Sequence, residues 1–251
     1  MKTYNALSKS FTDEVKIKMI EGSTIDEAFE DVKSAIIDYD SPTPTPEPTI
    51  YEYVDLGLPS GTMWATCNVG ATKPEEYGLL FQFGRVDGYA YNDSSNQFRT
   101  NAQNKQDTGY NFIPKTASGN TYDKGETLQP ADDAANVNMG GAWRMPTKDE
   151  LQELFDNTTH DVVTVNGVQG MLFTSTKPGY EGKHIFIPFM QGYWYNGSFT
   201  AAGSYACVWS SQVHPSYGDN AYSINYNSSG TASIRNRNRS SAFSVRGVFK
   251  K

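Results

Sequence analysis

Gly140-Gly-Ala-Trp-Arg-Met-Pro-Thr-Lys-Asp-Glu-Leu-Gln-Glu-Leu-Phe155 joins a turn, a cap and a helix in one short run. Gly140 and Gly141 permit a close turn, and Trp143 supplies an aromatic plug. Pro146 presets its own φ and biases Met145 toward extended backbone. Thr147 and Glu150 stand at capping-box spacing, with Leu151, Leu154 and Phe155 as the buried stripe of a short helix.

The sequence around this helix reads as strands. Upstream, Tyr51-Glu-Tyr-Val-Asp-Leu56 alternates into a tight turn at Gly57 to Gly61, and Thr62 to Val69 resumes the strand pattern. Downstream, strand-like runs cover 162–165, 170–175, 184–188, 206–211, 221–226, 231–235 and 242–249. Asn166-Gly167 and Asn227-Ser-Ser-Gly230 are hairpin signals. Residues 92–140 read as a long polar, irregular excursion, a kind of loop that is usually functional or specially stabilised. A sheet with one or two short helices and much loop makes an α+β domain over residues 50–251.

Residues 1–40 differ from the rest. A helix capped at Ser23 or Thr24 places Ile25, Phe29, Val32 and Ile36 on one face, together with Ala28 and Ala35. That unit is too small to bury its own stripe. Ser41-Pro-Thr-Pro-Thr-Pro-Glu-Pro-Thr49 follows, an extended polyproline spacer. A spacer lets residues 1–40 act at a distance, as an anchor or oligomerisation segment.

A net charge of −7 over 251 residues argues against nucleic acid or an anionic membrane as the main partner. No run approaches a membrane span, and the first residues lack the apolar core of a signal peptide. Cys67 and Cys207 read as two small buried hydrophobes, with a single bridge between them as the alternative.

Val54-Asp-Leu-Gly-Leu-Pro-Ser-Gly-Thr-Met-Trp-Ala-Thr-Cys-Asn-Val-Gly-Ala71, then Trp143 to Leu151, Val208-Trp-Ser-Ser211 and Ser244-Val-Arg-Gly-Val248 occur in this order. Together they resemble the Fibrobacter succinogenes major paralogous domain, found in gut Bacteroidetes and their phages, over roughly residues 51–249. The resemblance implies a C-type-lectin-like fold, related in architecture to formylglycine-generating enzymes and to variable proteins of diversity-generating retroelements. Members of the family commonly carry an export signal. An amphipathic segment and a proline spacer stand in that place here, which points to a phage virion protein made in the host cytoplasm.

Catalytic signals are sparse. Ser210, Ser211 and His214 lie close together with no carboxylate placed to orient the imidazole, and His184 reads as a core or edge residue of its strand. Asp132-Asp133 is the densest acidic spot of the excursion, and Asp87, Asp93 and Asp156 are further acids. All read as solvated loop residues, so no metal or other cofactor is expected. Recognition signals are richer: Tyr217, Asn220, Arg235, Asn236, Arg237, Asn238 and Arg239 lie between Trp209 and Ser244, with Asn236 to Ser241 read as an exposed loop. Tyr193, Trp194, Tyr195 and Asn196 form a second cluster suited to stacking. Such residues give adaptable hydrogen bonding and flat amphipathic area. Tyr222, Ile224 and Tyr226 are assigned to the core.

The expectation is therefore a non-enzymatic virion protein, a head fibre, capsid decoration or receptor-binding fibre. It attaches to capsid or other virion proteins through residues 1–40 and forms a dimer or trimer. Its lectin-like domain meets a host surface glycan or protein, without nucleic acid or membrane insertion. The other reading is a bacterial surface or periplasmic carbohydrate-binding protein.

Overall fold

The computed structural model describes residues 51–90, 113–195 and 198–251; the side chains of Ala90 and of residues 190–205 lie outside that description. The chain divides into two units between Thr49 and Ile50, and only the second is described. The anchor residues Ile25, Phe29, Val32 and Ile36 and the proline spacer therefore lie outside the described residues.

The described elements run β1 (Tyr53–Asp55), β2 (Thr62–Asn68), β3 (Leu79–Gln82), β4 (Tyr89–Ala90), a 3-10 turn (Pro130–Asp132), α1 (Ala134–Met139) and α2 (Lys148–Asp156). Nine strands follow: β5 (Thr158–Val165), β6 (Val168–Ser175), β7 (His184–Pro188), β8 (Met190–Tyr195), β9 (Ser198–Val213), β10 (Asn220–Asn227), β11 (Ala232–Asn238), β12 (Ala242–Ser244) and β13 (Arg246–Lys250). They form three sheets, ordered β1-β2-β13, β5-β6-β7 and β11-β10-β9-β8-β12-β3-β4. The domain is mostly β, with few helices.

Local chemistry explains most of these elements. Asn166 and Gly167 close the β5–β6 hairpin with φ of 48° and 83°, the backbone an Asn-Gly turn supplies. At α2 both halves of the capping box are made: Thr147 accepts from the Glu150 N–H, and Glu150 accepts from the Thr147 N–H. Leu151 and Leu154 are fully buried, and the helix packs on β9, β10 and β11. Trp64 and Trp209 are fully buried as well, Trp209 donating its indole N–H to the Phe81 carbonyl. Each such side chain contributes on the order of 2–3 kcal/mol by burial.

Three expectations need correction. Trp143 is half-buried rather than an interior plug; it packs edge-on between Tyr51 and Phe249, over the surface of β13. A Cβ on Gly247 would come within 2.5 Å of the Met139 sulfur and 3.1 Å of Trp143, so the α1 end and the Trp143 loop close on β13 only across a glycine. Cys67 and Cys207 are free thiols, as the unbridged reading has it, with Cys207 buried and Cys67 half-buried. The described part of the excursion is not featureless, because α1 lies in it. Asp132 and Asp133 are not solvated but 0 % and 3 % exposed. Asp133 caps α1 through the Ala135 and Asn136 N–H groups and also accepts from Met145 N. Asp132 accepts from Ser118 and from the Tyr122 hydroxyl. Each acid holds a loop by accepting orphan donors, the usual condition for burying a carboxylate.

Two charged groups join the layers. Glu150 receives a two-pronged contact from Arg144, at 2.7 and 2.6 Å, and a third hydrogen bond from the Thr62 hydroxyl on β2. Burial pushes its carboxyl upward, yet the Arg144 hydrogen bonds and charge, with the Thr147 N–H and the Thr62 hydroxyl, prevail and hold it down at about 2. Arg246 is fully buried on β13; its three hydrogen bonds go to Asn68 Oδ1 and the Ala65 carbonyl on β2, and to the Phe186 carbonyl on β7. Burial without a paired carboxylate lowers its pKa to about 10.

Both nodes make testable demands. A folded-state pKa below the unfolded value means that the Glu150 contribution is present above pH 4.5 and is lost as pH falls from there toward 2. Urea melts between pH 6 and pH 2 should show that fall, on the order of 2–3 kcal/mol for this group. Glu150→Gln should remove that part of the slope. Arg246→Lys should destabilise by more than about 2 kcal/mol, because one ammonium cannot reach three separated oxygens and leaves buried acceptors unmet. A melting curve unchanged by Arg246→Lys would show that these acceptors find water.

Candidate recognition surface

The recognition residues sit on the hairpins β9–β10 and β10–β11, at one edge of the large sheet. The β9–β10 turn is closed by main-chain bonds from His214 N to Asn220 O and from Asn220 N to Tyr217 O. His214 Nδ1 accepts from the N–H groups of Ser216 and Tyr217. The Nδ1 lone pair is thus engaged in closing the turn. The ring stacks on Tyr217 at 5.0 Å and leans on Tyr222 at 4.9 Å. Tyr217 is 56 % exposed, so the stack presents an aromatic face to solvent.

Strand alternation sorts the remaining residues. Tyr222 pairs with Asn236 and Asn220 with Asn238, so these lie on one sheet face, at the end carrying the His214 stack. Farther along that face Ile224 and Tyr226 are buried, as expected, Tyr226 against Phe173 and Phe189; Tyr222 is only half-buried. Arg235 and Arg237 point to the opposite face, opposite Ser223 and Ala221. Arg237 donates twice to Asn225 Oδ1, at 2.9 and 2.6 Å, and Asn225 donates to the Ser223 hydroxyl. Buried Cys207 also donates to Asn225 Oδ1. Arg235 is exposed, and among the described residues its side chain bonds to Ser233 on its own strand.

Arg239 does not belong to any surface. It is 0 % exposed, with Nη1 donating to the carbonyls of Tyr122 and Gly218 and its guanidinium 5.2 Å from the Phe83 ring centre. Burial lowers its pKa. Ser240 and Ser241 are buried too, and Asn236 to Asn238 are strand. The expected exposed loop 236–241 is therefore the end of β11 and a tight internal turn. Its arginine ties the β9–β10 loop to the Tyr122 segment. Alternating Asn-Arg composition carries no signal for this, because burial is decided by β3 and the Tyr122 segment, remote in sequence.

Of the second cluster, Tyr193, Trp194 and Tyr195 fall on β8 with Trp194 opposite Ala242. Their side chains, and Asn196, lie outside the described residues. His214 and Tyr222 were missed as surface members; a Tyr two residues into a strand after a short turn was the available cue. Among the described residues, no three His, Cys, Asp or Glu side chains group as metal ligands do, and no helix is long and apolar enough to cross a membrane.

The fold and surface thus define a β-rich domain with few helices and a tyrosine–asparagine edge. Comparison with protein families, curated proteins and solved structures returns no match.

The two arginine positions separate structure from surface. Arg239→Ala should lower stability by at least about 2 kcal/mol, since two buried carbonyls lose their donor. Arg235→Ala should change it by less than about 0.5 kcal/mol. Equal melting temperatures for both variants would return Arg239 to the surface.

Proposed function

We propose that residues 50–251 form a C-type-lectin-like domain akin to the Fibrobacter succinogenes major paralogous domain, displayed by a non-enzymatic phage virion protein that adheres to a host surface. The observation that carries this reading is the convergence of the four motifs behind the resemblance. Trp64 pairs with Val248, and Arg144 forms a bridge with the same Val248. Ser211 donates to the Pro146 carbonyl, and Ser244 pairs with Val208. Thr62 closes the circuit on Glu150. Motifs so engaged specify a scaffold, and leave the strands between Trp209 and Ser244 to carry a specific surface.

On this reading the Tyr217–His214–Tyr222 stack, flanked by Asn220 and Asn236, meets the host glycan or protein. Residues 1–40 attach the domain to capsid or other virion proteins, and the spacer sets it outward as a fibre or decoration of a dimer or trimer. Purified particles and host cells supply the test. Removal of residues 1–40 should abolish co-sedimentation with particles while the β-rich domain melts as before. Tyr217→Ala and Asn236→Ala should reduce adhesion several-fold without a shift in melting temperature. Particle binding by the truncated chain would end the anchor reading, and undiminished adhesion of both variants would move recognition off this edge.

A further inference from the structure

A second cleft lies on a different part of the domain, between the sheet β1-β2-β13 and the sheet β5-β6-β7. It encloses about 410 Å³, within the size range of small-molecule sites. Consecutive residues line it on both sides, Tyr53 to Asp55 from β1 and His184 to Phe186 from β7. Successive side chains of a strand point to opposite faces, so consecutive lining means that strand edges face the cleft.

The hydrogen-bond ladders agree. Thr66 N donates to Glu52 O, which sets Val54 as the bonded partner of Trp64 and turns the main-chain groups of Tyr53 and Asp55 away from β2. Ser175 N donates to Lys183 O and Phe189 N to Gln169 O, so His184 and Phe186 face away from β6. The Phe186 carbonyl is taken by Arg246. Among the described residues, the outward main-chain groups of Tyr53, Asp55 and His184 have no main-chain partner, and Val54, Leu172 and Ile185 add apolar lining.

The rim narrows the ligand class. Tyr53 offers a ring that stays 44 % exposed although Phe249 packs edge-on against it at 4.9 Å and the Lys251 ammonium lies 5.4 Å from its centre. Asp55 spends Oδ1 on the Gly57 N–H and leaves Oδ2, while Lys183 brings the opposite charge. His184 donates Nδ1–H to the Gly182 carbonyl and keeps Nε2 as an acceptor. Within the lining one cation, Lys183, stands against one anion, Asp55, so the lining itself selects no net charge, and the Lys251 ammonium is engaged by the Tyr53 ring. An apolar floor, an aromatic wall and mixed donors and acceptors match a ring with one C–H face and a hydroxyl rim. A peptide strand fits less well, because β1 has only three residues and turns just Tyr53 and Asp55 outward, too few for stable strand addition.

We propose that the β1–β7 cleft binds a short uncharged saccharide, with the sugar face against Tyr53 and its hydroxyls on Asp55, Lys183, His184 and the free strand edges. The site deepens the adhesive reading but shares no residue with the β10–β11 edge, so the two stand or fall separately.

The test is a titration of the isotope-labelled full chain with maltose, cellobiose and N,N′-diacetylchitobiose, followed through backbone amide shifts. At least one sugar should produce saturable shifts at Tyr53, Asp55 and His184, with a Kd in the millimolar range. Asp55→Asn keeps the acceptor for Gly57, and it should weaken binding about tenfold at an unchanged melting temperature. Tyr53→Ala should do the same. Absence of saturable shifts at these amides with all three sugars overturns the proposal. So does a response confined to Tyr217, Tyr222 and Asn236, which would leave adhesion by that edge intact. Shifts elicited only by a short alternating threonine–valine peptide would overturn it in favour of strand addition. A cleft response that persists in the Tyr217→Ala chain supports this site whatever becomes of adhesion.

Discussion

A guanidinium with no carboxylate among its three hydrogen-bond acceptors sits where the two small sheets meet. Arg246 reaches Asn68 and Ala65 on β2 and Phe186 on β7, so one side chain fixes how β5-β6-β7 lies against β1-β2-β13. Taking the charge out of water costs several kcal/mol. Three hydrogen bonds from a charged donor, each contributing about 1.5–3 kcal/mol, offset a cost of that size. The net stabilisation is small, while the penalty for removing the donor is large, since three oxygens then face an apolar interior. Tyr226 shares this interior, and burial raises its hydroxyl well above the usual range. The constraint explains why an arginine stands in the fully buried run Ser244 to Val248, where β12 passes into β13.

Glu150, Asp132 and Asp133 follow the same logic with opposite charge. Each collects donors from more than one segment: Glu150 from β2 and the Arg144 turn, Asp133 from α1 and Met145, Asp132 from Ser118 and Tyr122. The environments differ enough to part their titrations. Burial dominates at Asp133 and raises its pKa, whereas at Glu150 the Arg144 contact prevails. Loop-rich domains have little regular ladder to satisfy their main chain, and buried carboxylates supply the missing acceptors.

The recognition edge shows how one strand distributes one composition. Asn236 and Asn238 accompany the aromatic stack, Arg235 and Arg237 take the other face, and Arg239 is drawn inside by Phe83 and two carbonyls. The two faces of the strand therefore differ in chemistry.

Much of the scaffold was legible in the residues alone. Capping-box spacing, the Asn-Gly turn and the α2 stripe are short-range signals that the structure bears out, while the expected run 242–249 divides into β12 and β13 of two different sheets. The resemblance-bearing motifs are also local strings. Legibility ended where partners lie far apart in the chain. No spacing rule shows that Asp132 and Asp133 are enclosed, that Trp143 lies over β13 at half exposure, or that Arg239 is buried while Arg235 is not. The β1–β7 cleft was equally invisible, because it exists only between the edges of two sheets. Local sequence determined the elements and their turns, since backbone preference and alternation act over a few residues. Tertiary structure alone decided which polar side chains became joints and which became surface, since burial depends on what packs against a residue from elsewhere in the fold.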